Sequence, residues 1–98
     1  MSPELFGTSS LQYTLEAHRD AATLYVTGTL TTAGVIAAMH CCEQLPDRVR
    51  ALRVDLRGTE GAEPSALDAL AFTTRRWRDV RGGSTRIDLP RTRATRAA

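Results

Sequence analysis

Residues 52–67 read LRVDLRGTEGAEPSAL, and this stretch decides the fold. Leu52, Val54 and Leu56 alternate with Arg53 and Asp55, the period-two pattern of a half-buried strand. Residues 58–64, with two glycines and no apolar periodicity, read as a loop. Ser65 follows as the expected N-cap of the longest helix, with Asp68 three residues on as an imperfect capping box. Leu67, Leu70, Ala71 and Thr74 are its expected inner face, while Arg75, Arg76 and Arg78 lie mainly outside. Gly82-Gly83 supplies the left-handed residue that ends such a helix. Residues 84–89 read as a further strand, stopped by Pro90. Two strands joined through a helix run parallel, with a right-handed crossover.

Upstream, residues 11–16 (Leu-Gln-Tyr-Thr-Leu-Glu) alternate as a strand, and His18-Arg19-Asp20 is a polar break. Residues 22–28, rich in β-branched and aromatic side chains, form its hairpin partner, ended by Gly28. Thr31 or Thr32 then caps a helix. Val35, Met39, Cys42 and Leu45 give that helix one apolar stripe until Pro46 stops it, and residues 47–50 are a charged connection. The chain therefore reads as an α/β protein with a small mixed four-stranded sheet, β-β-α-β-α-β, and helices packed on it. Residues 11–90 are the domain, 1–10 an N-terminal segment, and 91–98 a flexible Arg-rich tail carrying Arg91, Arg93 and Arg96.

Ninety-eight residues make one domain with a modest core, and 42% apolar and 24% charged residues are ordinary for a globular chain. No apolar run approaches the ~20 residues that cross a bilayer, and the first ten residues lack a basic segment followed by an apolar one. A cytoplasmic protein without direct membrane insertion is expected. The adjacent Cys41 and Cys42 have no chain between them to constrain, which fits a reducing compartment. All thirteen basic residues are arginine, but a net charge of +2 argues against nucleic acid as the partner.

Catalytic and metal chemistry find no constellation. His40, Cys41 and Cys42 are consecutive, so on a helix they point about 100° apart and cannot share a tetrahedral ion. His18 belongs to a turn, no Ser-His-Asp set has an arguable geometry, and the glycines are wrongly spaced for a phosphate loop. Asp55 and Asp68 are a carboxylate pair that could approach at the third strand's end. Trp77 is open to a partner contact or to packing. A binding module that is not an enzyme and holds no cofactor is the expectation.

In order and spacing these features resemble the STAS family, found in sulfate transporters and bacterial anti-sigma factor antagonists. Gly28-Thr29-Leu30 is similar to the family's glycine-acid-leucine turn, with Thr31 where a further acid stands. Asp55-Leu56-Arg57-Gly58 matches its Asp-Leu-x-Gly strand end. Glu63-Pro64-Ser65-Ala66-Leu67 falls without a gap on its Asp-Ser-Ser-Gly-Leu signature, with Glu63, Pro64 and Ala66 as departures. The resemblance spans about residues 11–90. The family's further helix after the fourth strand has no counterpart here beyond the tail.

The resemblance implies a regulatory module that binds a kinase-type anti-sigma factor, with Ser65 as phosphoacceptor candidate. Glu63, Pro64, Ala66, Asp68, Ala69 and Phe72 form the implied partner-binding surface. A serine at a helix start lies beside free amides and the positive end of the helix dipole, and phosphate there adds nearly two negative charges. Ser65 as a structural cap alone is the competing reading. The alternative function is a STAS scaffold subunit, never phosphorylated, of a membrane transporter or signalling assembly. An uncovered edge strand also raises homodimerisation or completion by a partner.

Overall fold

In the computed structural model, which describes residues 11–90, the first alternating stretches form an antiparallel hairpin of β1 (Gln12–His18) and β2 (Ala21–Leu30). The expected segment 1–10 and tail 91–98 lie outside the described residues. Arg19 turns the hairpin with φ 62, and the Asp20 carbonyl accepts the amides of Arg50 and Ala51. The chain continues through α1 (Thr32–Glu43), β3 (Ala51–Ala62), α2 (Pro64–Arg81) and β4 (Ser84–Asp88). The sheet order is β1-β2-β3-β4, with β2, β3 and β4 parallel. The mixed four-stranded α/β architecture expected from the sequence is thus the observed one.

Register divides the sheet into two faces. Leu24, Val54 and Ile87 lie side by side on one, and Tyr25, Asp55 and Asp88 on the other. On the first face α1 covers β1 and β2, α2 covers β3 and β4, and the helices pack on each other. The core lies there. Leu24, Val26, Leu30, Leu52, Val54 and Leu56 from the sheet meet Val35, Met39 and Cys42 from α1, and Leu70 and Trp77 from α2. The opposite face is polar. Asp55 takes a bidentate grip from Arg57 at 3.0 and 2.9 Å, and Asp88 takes Arg53 and Arg86. Held by the Arg57 side chain and amide, with Arg53 also near, the Asp55 carboxyl falls from its ordinary range to about 2.

Four expectations are corrected. Residues 58–62 are strand, not loop, because β2 extends to Leu30 and offers a parallel partner throughout. Register shifts between Tyr25 and Thr27 and between Gly28 and Thr29 absorb the mismatch, so the glycines mark irregular strand pairing. The cap of α2 is Glu63, not Ser65, because the helix begins at Pro64, two residues earlier than a Ser65 cap implies. Proline suits that position: its fixed φ is already helical and its missing N–H would have no partner there. The inner face of α2 is Ala66, Leu70, Thr74 and Trp77; Leu67 and Ala71 turn outward. Asp55 and Asp68 do not meet, since Asp55 lies on the face of the sheet away from α2.

Trp77 packs in the core at 3% exposure and donates its indole N–H to the Cys42 carbonyl at 3.1 Å. Arg81 does something the sequence did not suggest. Its guanidinium donates to the carbonyls of Pro46, Val49, Glu43 and Leu45 at 2.8, 3.0, 3.2 and 2.9 Å. It also lies over the Trp77 ring, 4.7 Å from the centroid. One side chain thus satisfies the carbonyls released where α1 ends, before its expected stop at Pro46. Gly82, at φ 62, and Gly83 close α2 through amides donated to Asp79 and Arg78.

Candidate partner-binding site

The site grows from the parallel pairing of β2 and β3. Leu30 and Ala62 are the last register partners of these strands, so α1 and α2 begin side by side beyond the C-terminal ends of the two central strands. The Glu63 amide donates to the Leu30 carbonyl at 2.9 Å and fixes that juxtaposition. At the start of α1, Thr31 caps its own helix, its hydroxyl accepting the Gly34 amide at 3.1 Å. Thr32 faces the other helix.

Glu63 caps across the gap. Its backbone carbonyl receives the Ala66 amide of α2 at 2.9 Å, but its side chain makes no bond to its own helix. The carboxylate Oε1 instead accepts the Thr32 amide at 3.0 Å and the Thr32 hydroxyl at 3.4 Å. A carboxylate at the first turn of α1 is favoured by the helix dipole. The Thr32 and Ser65 hydroxyls stand 2.6 Å apart, a hydrogen bond in which either can donate. Glu63, Thr32 and Ser65 form one polar cluster over two helix starts.

The expected site residues separate under this geometry. Glu63, Pro64, Ser65, Asp68 and Phe72 are exposed, and Ser65, Asp68 and Phe72 share the outer face of α2. Ala69 is half-buried against the core. Ala66 leaves the candidate surface: it is fully buried, because at helical spacing position 66 shares the inward face of Leu70, Thr74 and Trp77. Thr32 is the member that the sequence left undistinguished from Thr31. Its signal was topological: consecutive parallel strands place their following helix starts next to each other. Leu67, 43% exposed, was read as core and instead borders an apolar groove of about 410 Å³ with Leu30, Leu56, Leu89 and Pro90.

Neither cysteine makes a disulfide. Burial pushes the Cys42 thiol up to about 12, so it stays protonated, and the Cys41 sulfur lies 3.2 Å from the Tyr13 hydroxyl. Among the described residues no group of three or more His, Cys, Asp or Glu could hold a metal ion, and no helix is long and apolar enough to cross a membrane.

No protein-family model and no curated protein sequence matches the chain. Solved structures do. An anti-sigma factor antagonist STAS domain from Rhodobacter sphaeroides superposes with a TM-score of 0.61 at 20% identity, covering 80% of this chain and 85% of that one. An anti-sigma factor antagonist from Mycobacterium paratuberculosis gives 0.61 at 22% identity, over 91% and 74%. Mglu in its native form gives 0.72 at 14% identity, over 93% of this chain, which spans only 26% of Mglu. At these identities the likeness is one of fold. With its four strands and two helices in the order β-β-α-β-α-β, that fold is STAS-like.

Proposed function

We propose that the chain is a regulatory protein-binding module that engages a kinase-type anti-sigma factor through the start of α2, with Ser65 as its phosphoacceptor. The observation that carries this reading is the Ser65 hydroxyl, exposed in the first turn of α2 on the same outer face as Asp68 and Phe72, in a fold shared with two anti-sigma factor antagonists. The module works by contact and carries no chemistry of its own.

Phosphate on Ser65 would bring nearly two negative charges next to the Glu63 carboxylate. Two anions compete there for the Thr32 amide and hydroxyl, so phosphorylation releases Glu63 from α1. The partner then meets a charged, rearranged surface. A loss of ~3 kcal/mol in binding weakens a complex about a hundredfold, enough for a switch. The test is titration of an ATP-binding anti-sigma factor with the Ser65→Ala and Ser65→Asp proteins. Tight binding by the alanine form and weak binding by the aspartate form supports the switch. Equal affinities remove it.

A second reading has its own support. Glu63 already supplies a fixed negative charge at the paired helix starts, and Ser65 is already engaged by Thr32. The fold also recurs as about a quarter of the larger Mglu chain. A scaffold subunit of a transporter or signalling assembly needs no phosphoacceptor. Co-purification with a membrane ATPase, undisturbed by Ser65→Asp, favours that reading.

A further inference from the structure

The outer face of α2 continues well beyond Ser65. At 3.6 residues per turn, Ala66, Leu70, Thr74 and Trp77 face the core, so Phe72, Arg76 and Asp79 face solvent. Phe72 is 61% exposed and Val80 78%. They stand eight residues apart, about 12 Å along the axis, with the Arg76 stem between them. A shallow groove of about 230 Å³ runs along this ridge, lined by Phe72, Arg75, Arg76, Asp79 and Val80. A single exposed apolar residue needs no explanation. Two of them framing cations that make no ion pair among the described residues do.

The charges decide what fits. The ion pairs among the described residues engage Arg53, Arg57, Arg78 and Arg86, and none of them involves Arg75 or Arg76. The one carboxylate in the groove, Asp79, is already held by Arg78 at 3.1 Å. Among the described residues, two guanidiniums therefore stand outside any ion pair beside an apolar ridge, and a guanidinium fork matches a carboxylate in two-point contact. Geometry narrows the choice further. A helix surface presents no backbone ladder, so an extended strand laid here would leave its own amides and carbonyls without protein partners. A second helix brings its backbone already satisfied, and two turns of it match the ridge.

We propose that the second half of α2 is a docking face for an amphipathic helix of a partner protein, one whose apolar stripe is flanked by carboxylates. Phe72 and Val80 enter the grooves of that helix, and Arg75 and Arg76 meet its acidic borders. This rests on reading α2 as a partner-binding element but does not depend on phosphorylation of Ser65.

Selection from a random 16-residue peptide display library on the immobilised full chain tests it. The enriched peptides are expected to carry Leu, Ile or Phe at i, i+3 or i+4, and i+7, with Glu or Asp alongside. Their binding should fall at least tenfold in the Arg75→Glu/Arg76→Glu double variant and in Phe72→Ala, and should weaken with added salt. Both variants change exposed residues and should keep the parent's thermal midpoint, which separates lost docking from lost folding. No enrichment, a consensus without carboxylates or helical spacing, or binding indifferent to charge reversal overturns the proposal. Sedimentation as a dimer that Phe72→Ala converts to monomer also overturns it, since a second copy then occupies the face. Ser65→Asp should leave this peptide binding unchanged, so failure of the switch and failure of the docking face read out separately.

Discussion

Arg81 makes more side-chain hydrogen bonds than any other charged side chain among the described residues. It holds four carbonyls where α1 ends and stacks on Trp77. Hydrogen bonds to a charged group contribute about 1.5–3 kcal/mol when partly sheltered, but here two nitrogens divide their donors among four carbonyls. Arg81→Ala should cost about 2–3 kcal/mol in urea unfolding, and Arg81→Lys should recover less than half, because an ammonium cannot fork across several carbonyls. Asp55 supplies a pH signature. Its folded pKa of about 2 lies below the unfolded value of about 3.9, so its stabilisation is complete above the unfolded pKa and is lost as pH falls toward 2. Asp88 is lowered in the same direction by Arg53 and Arg86. Unfolding between pH 2 and 6 should therefore show stability falling with acid, and Asp55→Asn should flatten that fall. Neither role was legible in the sequence. Arginine on a solvated helix end and arginine clamping another helix have the same local pattern, and only the tertiary placement of residues 43–49 distinguishes them.

At the scale of elements, the period of the pattern was readable and its phase was not. Alternation located β1 and the first half of β3, β-branched and aromatic content located β2, and spacing and caps located both helices. The phase of α2 differs because the buried stripe runs Ala66, Leu70, Thr74 and Trp77, centred on the packed Trp77, which leaves Leu67 outward. Ala66→Leu should thus cost about 1–3 kcal/mol by overpacking, whereas a true surface position there would tolerate it. The stretch 58–62 read as loop because its glycines hide a strand whose pairing comes entirely from β2. Two glycines separate sharply in consequence. A Cβ on Gly83 would lie 1.9 Å from the Arg50 carbonyl oxygen, against backbone that cannot yield, so Gly83→Ala should cost on the order of 3 kcal/mol or prevent folding. A Cβ on Gly61 meets nothing within 4 Å, so Gly61→Ala should stay within about 0.5 kcal/mol of the parent in the same thermal melts.

For the whole molecule, two helices guard one face of the sheet and leave the other as a ladder of matched charges. β4 pairs with β3 only as far as Asp55, so among the described residues the remaining length of β3, beside the Leu67 groove, has β2 as its one partner strand. The Thr59 hydroxyl bonds the Leu56 carbonyl there at 2.7 Å, and the register shifts against β2 distort the strand, both of which discourage indiscriminate pairing. The topology and the meeting of two helix starts follow from the order of elements. The Glu63–Thr32–Ser65 cluster needed the three-dimensional register of β2 on β3. The proposed partner surface on α2 is the centre of the account, and phosphate transfer to Ser65 within it is its most direct test. The chain is incubated with ATP and the cell's kinase-type anti-sigma factor, and the product is mapped by peptide mass. The account predicts one phosphate on Ser65, none on the Ser65→Ala protein, and dissociation of the complex as phosphate accumulates. A Ser65 that stays unmodified while the complex forms, or phosphate placed elsewhere, would contradict it.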